Sequence, residues 1–150
     1  MAKVANPRKV FNFRVEIDGI DQFEIQEINI PEAELEVTEH GDTNHNIGTA
    51  GRIKFGDITL KKLRPLPTAD KWAWDWVRRI QDVETGGGQL PSQYKKIIAI
   101  KELSADNATT VSTWICKGVF PKKVSMENHS RTSSDNMIQT VVLWADKVIP

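Results

Sequence analysis

The chain has 150 residues, with 20 Lys plus Arg against 20 Asp plus Glu, so its formal net charge is zero and no global field draws it to nucleic acid or an anionic membrane. That length suits one domain, 1–150, with one core, and a single cysteine excludes an internal disulfide or a Cys-rich zinc module. No segment approaches the roughly 20 apolar residues of a membrane span, and the amino-terminal residues show no secretory h-region, so assembly in the cytoplasm is the expectation.

Phe11, Phe13, Val15 and Ile17 alternate with Asn12, Arg14, Glu16 and Asp18, the pattern of a half-buried strand. Gly19 and Asp21 supply a turn before a second run in which apolar parity switches from odd (Phe23, Ile25) to even (Ile28, Ile30); a bulge near Glu27 accounts for the switch. Pro31 cannot donate to a ladder, and 32–39 reads as the next strand or the continuation of a bent one. There Glu32, Glu34 and Glu36 alternate with Ala33, Leu35 and Val37, which sets three carboxylates on one face. They belong to a charge-sorted stretch: 15–51 holds ten acidic residues and no Lys or Arg, and Arg52, Lys54, Lys61, Lys62 and Arg64 follow. A solvated strand face is the plain reading of such sorting.

Segment 40–51 has three glycines and only Ile47 as a sizeable apolar group, so it reads as a long exposed loop or a weak hairpin. Alternation resumes through Ile53, Phe55, Ile58 and Leu60, with a bulge or kink at Gly56 and Asp57, until the prolines of 64–67 end it. Thr68 caps a helix over 69–84 whose stripe is Ala69, Trp72, Ala73, Trp76, Ile80 and Val83; Asp70 suits its first turn and Gly86 its C-terminal cap. Residues 85–89 read as a flexible connector. Then 95–103, 111–117, 119–127 and 137–148 are strand-like, broken by polar runs at 104–107 and 128–136. The sum is mainly β: seven or eight antiparallel strands in a sandwich or barrel, with one flanking helix and a long extended loop.

No catalytic, cofactor or metal site emerges. Glu32, Glu34 and Glu36 lie in register on an open face instead of converging in a cleft. His40, Asp42 and His45 lack a third strong ligand at a recognised spacing, which leaves them structural or interface roles, and His129 is a surface residue in a polar turn. Cys116 sits mid-strand without a helix N-terminus to activate it and reads as a small core residue. The run at 86–88 follows a helix and lacks the GK[ST] of a phosphate loop. Trp72 and Trp76 fall on the helix stripe, whereas Trp74 turns away from it beside Asp70 and Arg78. That marks a second contact surface, with packing inside the same subunit as the alternative.

The strands FNFRVEIDG, FEIQEINIP, ELEVTEHGDT and FGDITLKKL, the helix DKWAWDWV, and the closing WICKGVFPKKV and IQTVVLWADKV strands follow one another in an order that resembles the tail tube proteins of contractile-tailed phages across nearly the whole chain. The resemblance implies a non-enzymatic subunit that self-assembles into hexameric rings, stacked as a tube in the virion tail. Sheath protein lies outside such a tube, baseplate and tail terminator proteins lie at its ends, and DNA passes through without specific binding. The same fold serves in extracellular contractile injection systems and in the haemolysin-coregulated protein of type VI secretion, which move protein, so an injection-system tube is the alternative. A small ligand-binding β-sandwich using Trp74 is the alternative of another class.

The resemblance makes 40–51 (His40, Asp42, Asn44, His45, Asn46, Ile47, Gly48 and Gly51) the extension that reaches the adjacent ring and orders on contact. It makes Glu32, Glu34 and Glu36 lumen candidates that repel DNA phosphates over a Debye length of roughly 8 Å. Lys54, Lys61 and Lys62, on the following strand, partly neutralise that wall if alternate ones face the lumen. Trp74 is a subunit-interface candidate.

Overall fold

A computed structural model describes residues 12–17, 25–63, 72–106, 108–126, 130–132, 135 and 137–150. The expectations placed on Phe11, the 18–24 turn, the prolines of 64–67, Thr68, Ala69, Asp70 and His129 lie outside the described residues. The elements are β1 (Phe13–Glu16), β2 (Ile25–Ile28), β3 (Ala33–Gly41), β4 (Asn46–Phe55), β5 (Ile58–Leu63), α1 (Trp72–Ile80), α2 (Pro91–Tyr94), β6 (Lys96–Leu103), β7 (Thr110–Met126), β8 (Ile138–Trp144) and β9 (Lys147–Ile149).

All strand pairs are antiparallel and form a sandwich-like array in the order β1-β6-β7-β8-β5-β2, with β9 also on β7 and the β3–β4 hairpin standing apart. Strand β7 serves both layers. Its first half pairs with β6 and β9, and its second half pairs with β8. The runs expected as two strands at 111–117 and 119–127 are thus one 17-residue strand, bent where Gly118 takes a φ of 67°. A side chain there would meet the Asp146 carboxylate, so glycine satisfies both the backbone angle and the close approach. The expected 137–148 strand turns the same corner between β8 and β9. At that corner the Asp146 N–H donates to the Lys117 carbonyl at 3.0 Å, and its carboxylate accepts from Lys95 Nζ at 2.8 Å and Trp144 Nε1 at 2.9 Å. The Lys95 ammonium, with help from Trp144, holds the Asp146 carboxyl below the usual carboxylate range.

Alternation decides which side chains meet between the layers. Val15, Ile17, Ile25, Ile58, Leu60, Ile98, Ile100, Cys116, Val119, Val141 and Leu143 are buried there, and Trp72, Ala73 and Trp76 of α1 join them. The parity switch before Pro31 is a register shift between Ile25 and Glu27, as expected. Burial pushes the Cys116 thiol up to about 11, in keeping with a core role. Lys62 departs from its expected place in a basic face: it continues the inward parity of Ile58 and Leu60, is fully buried, and donates from Nζ to the Leu63 carbonyl at 3.2 Å. Lys61 points outward to Glu27 at 3.3 Å.

Helix α1 carries Asp75 in its first turn and Arg78 and Arg79 in its last, matching its dipole. It ends at Ile80, short of the expected 84, so Val83 is 90% exposed and off the stripe. Gly86, with φ 74°, shapes the turn after the helix, donating to the Asp82 carbonyl at 2.8 Å, and does not cap the helix itself. The supposedly flexible connector folds back: Asp82 N–H donates to the Gly87 carbonyl at 2.8 Å and Gln89 N–H to the Arg79 carbonyl at 3.0 Å. Gly88 lies so close to the Ile80 carbonyl that any Cβ would collide with it. A second, single-turn helix, α2, was not expected; Leu90 N–H donates to Gln93 Oε1 at 3.0 Å, and Trp76 Nε1 ties α1 to the Tyr94 carbonyl at 2.8 Å. No helix among the described residues is long and apolar enough to cross a membrane.

Candidate assembly interface

The segment read as a long exposed loop or a weak hairpin is the distal part of a hairpin. Asn46, Ile47, Gly48 and Gly51 lie in β4, His40 lies near the end of β3, and 42–45 forms the turn. That turn is held by Asp42 N–H donating to the His45 carbonyl at 2.8 Å and by Asp42 Oδ1 accepting from Thr43 N–H at 2.7 Å. Asn44 and His45 are at its tip. His40 and Gly41 are thus paired with Ile47 and Asn46 in the ladder, and 42–45 closes it.

Register sorts the hairpin into two faces. Leu35 stands opposite Ile53, Ala33 opposite Phe55, and Val37 opposite Ala50, which gives an apolar face. Leu35 is 54%, Val37 64% and Ile53 54% exposed, so this face is left uncovered among the described residues. On the other face Glu34 stands opposite Lys54, and a bulge between Leu35 and Val37 places Glu36 beside the Arg52 step. Two carboxylates and two cations thus share this face, and its local charge is mixed, not acidic. Glu32 precedes β3, where its carbonyl accepts from Gly56 N–H at 2.8 Å and anchors the hairpin's base.

Trp74 is 45% exposed on the outer side of α1, as its phase required, while Trp72 and Trp76 pack inward with ring centroids 5.4 Å apart. Among the described residues no group of three His, Cys, Asp or Glu is placed to hold a metal ion, and His40, Asp42 and His45 line no such site. A shallow hollow of about 500 Å³ lies between α1 and the returning glycines, where Asp75 and Asp82 interleave with Arg78 and Arg79. Alternation put Ala33, Leu35 and Val37 on one face, but sequence reasoning assigned that face no contact role. The signal was present in Leu35, Val37 and Ile53, whose alternation has no place in the core.

The model of the T4-like virus tail tube protein gp19 family matches residues 9–148. No curated protein matches the chain. Its fold is similar to that of a chain in the anti-feeding prophage cap, the tube terminating cap (TM-score 0.82, 21% identity, covering 99% of this chain and 93% of that one). It is also similar to a chain in the extended sheath-tube complex of an extracellular contractile injection system (0.76, 24%, 97% and 92%) and to Hcp1 from Flavobacterium johnsoniae (0.54, 13%, 93% and 94%). With the model spanning all but the two ends, the chain belongs to the T4-like virus tail tube protein gp19 family.

Proposed function

We propose that the chain is a structural subunit of a contractile tail, forming stacked hexameric rings whose bore is a conduit for DNA, with sheath protein outside and baseplate and terminator proteins at the ends. The carrying observation is the β3–β4 hairpin, which projects from a packed sandwich with an uncovered apolar face. A lone two-stranded hairpin is marginal in water, so a face of this kind gains its stability from a neighbour. Family membership favours a second copy as that neighbour. Zero net charge leaves no long-range repulsion to oppose the packing of copies.

Electron microscopy of the purified protein tests this reading: rings or tubes are expected, and a strictly monomeric species at high concentration overturns it. Deleting 44–49 should leave a folded subunit that fails to stack, and tubes of normal length after deletion would remove the hairpin from the contact. Glu32, Glu34 and Glu36 remain lumen candidates within this proposal, with Lys54 and Arg52 tempering their charge. Changing all three to Lys should leave tubes intact but hinder DNA passage, and unchanged infectivity would take them off the wall. The fold similarity to the prophage cap and the injection-system tube favours a second reading, the tube or terminator of a protein-injecting particle. Particles purified with DNA inside their tubes support the first; particles loaded with protein and free of DNA support the second.

A further inference from the structure

The outward face of β6, the first half of β7 and β9 carries a second apolar strip, half-buried at Ala99 and Ile115 and exposed at Ile97 and Ile149. Register sets Ala99 beside Ile115 and Ile115 beside Ile149, a row across three strands about 10 Å wide. Ile97 is 60% and Ile149 41% exposed. Two residues further along, Lys117 stands directly opposite Lys147. Like charges opposite one another across a ladder destabilise it, and neither ammonium joins an ion pair among the described residues. Lys101, one step the other way, is already bonded to Glu16 Oε1 at 2.8 Å. The strip therefore ends in two facing cations, of which Lys147 also feels the Asp146 carboxylate that Lys95 already holds.

The hairpin holds the complementary arrangement. On its apolar face Leu35 and Val37 are followed by Glu39, at two-residue steps of about 6.6 Å, the same step that separates Ile115 and Ile149 from Lys117 and Lys147. We propose that the hairpin of one copy lays this face on the β6–β7–β9 strip of a neighbouring copy, with Val37 against Ile115 and Ile149 and Glu39 between Lys117 and Lys147. The inference rests on the tube-subunit reading and adds the receiving surface to it. Donor and acceptor are different patches of one molecule, so the contact is head-to-tail and propagates from copy to copy instead of closing a dimer.

Charge exchange tests it. Lys117→Glu with Lys147→Glu should melt within a few degrees of wild type yet need about tenfold more protein, or more, to assemble, and Glu39→Lys should do the same. The triple variant, which restores complementarity in reverse, should assemble within about threefold of wild type, as expected of a direct charge pair. Independently, Val37→Cys with Ile149→Cys should give a ladder of covalent oligomers on oxidation, since native Cys116 is fully buried and does not compete. Normal assembly of the lysine variant, no recovery in the triple variant, or tubes without a ladder would each overturn the proposal. If wild type itself never assembles, the tube reading fails. If Leu35→Ser with Val37→Ser abolishes assembly while the lysine variant assembles normally, only the receiving surface is wrong.

Discussion

The sandwich and the hairpin are built from the same alternating pattern, yet they solve opposite problems. In β5 and β8 every second residue, Ile58, Leu60, Val141 and Leu143, disappears completely between the layers. In β3 and β4 the equivalent residues, Leu35, Val37 and Ile53, stay more than half exposed. Under the proposed assembly, the contrast separates what folds the subunit from what joins subunits, and mutations at the two sets should divide accordingly.

The largest effect is expected at the corner of the sandwich. Gly118→Val combines a forbidden backbone angle with a clash against Asp146, and should destabilise the monomer by roughly 3 kcal/mol or prevent folding; calorimetry reads it as a melting temperature about 10 °C lower or no transition. Leu143→Ala, which empties a fully buried site, should cost about 2 to 5 kcal/mol in denaturant unfolding with assembly lost only as folding is lost. Next comes the acid response. Asp146 has a lowered folded-state pKa, so its contribution is fully present above the unfolded value of about 3.9 and disappears as pH falls through the lower folded value. Because its side chain is 43% exposed, the Lys95 pair is worth under about 1 kcal/mol, and Asp146→Asn should flatten only that part of a stability profile taken below pH about 4. The smallest monomer effects belong to Val37→Ser and Trp74→Ala, within about 0.5 kcal/mol by the same unfolding assay. A Val37→Ser subunit that folds normally but assembles poorly would sharpen the division, and one that unfolds would break it.

The core was largely legible because period-two alternation survives in the strands that bury one face: Val15, Ile17, Ile58 and Leu60 all point where their parity requires. Lys62 follows the same parity, and only its charge suggested the surface, since alternation does not show that a buried ammonium can find a backbone carbonyl, here that of Leu63. The end of α1 was misjudged because Val83 is in phase with the stripe, while the stop is imposed by the chain returning across Ile80 at Gly88, a contact no local pattern encodes. The hairpin was half legible. Its glycines argued for a loop, and the pairing that makes 46–51 a strand comes from Leu35 opposite Ile53 and Ala33 opposite Phe55, residues outside the glycine-rich segment. The pairing of Glu34 with Lys54 needed the register, which composition cannot supply.

Strand β7 runs for 17 residues, about 56 Å of contour, and is hydrogen-bonded to β6 and β9 at one end and to β8 at the other. The two layers are consequently spliced by covalent backbone as well as by packed side chains. Tension applied to one layer passes to the other along peptide bonds, and parting them requires shearing several ladders at once instead of peeling one apolar seam. In the proposed tube, a subunit wired in this way would resist an axial pull through its backbone.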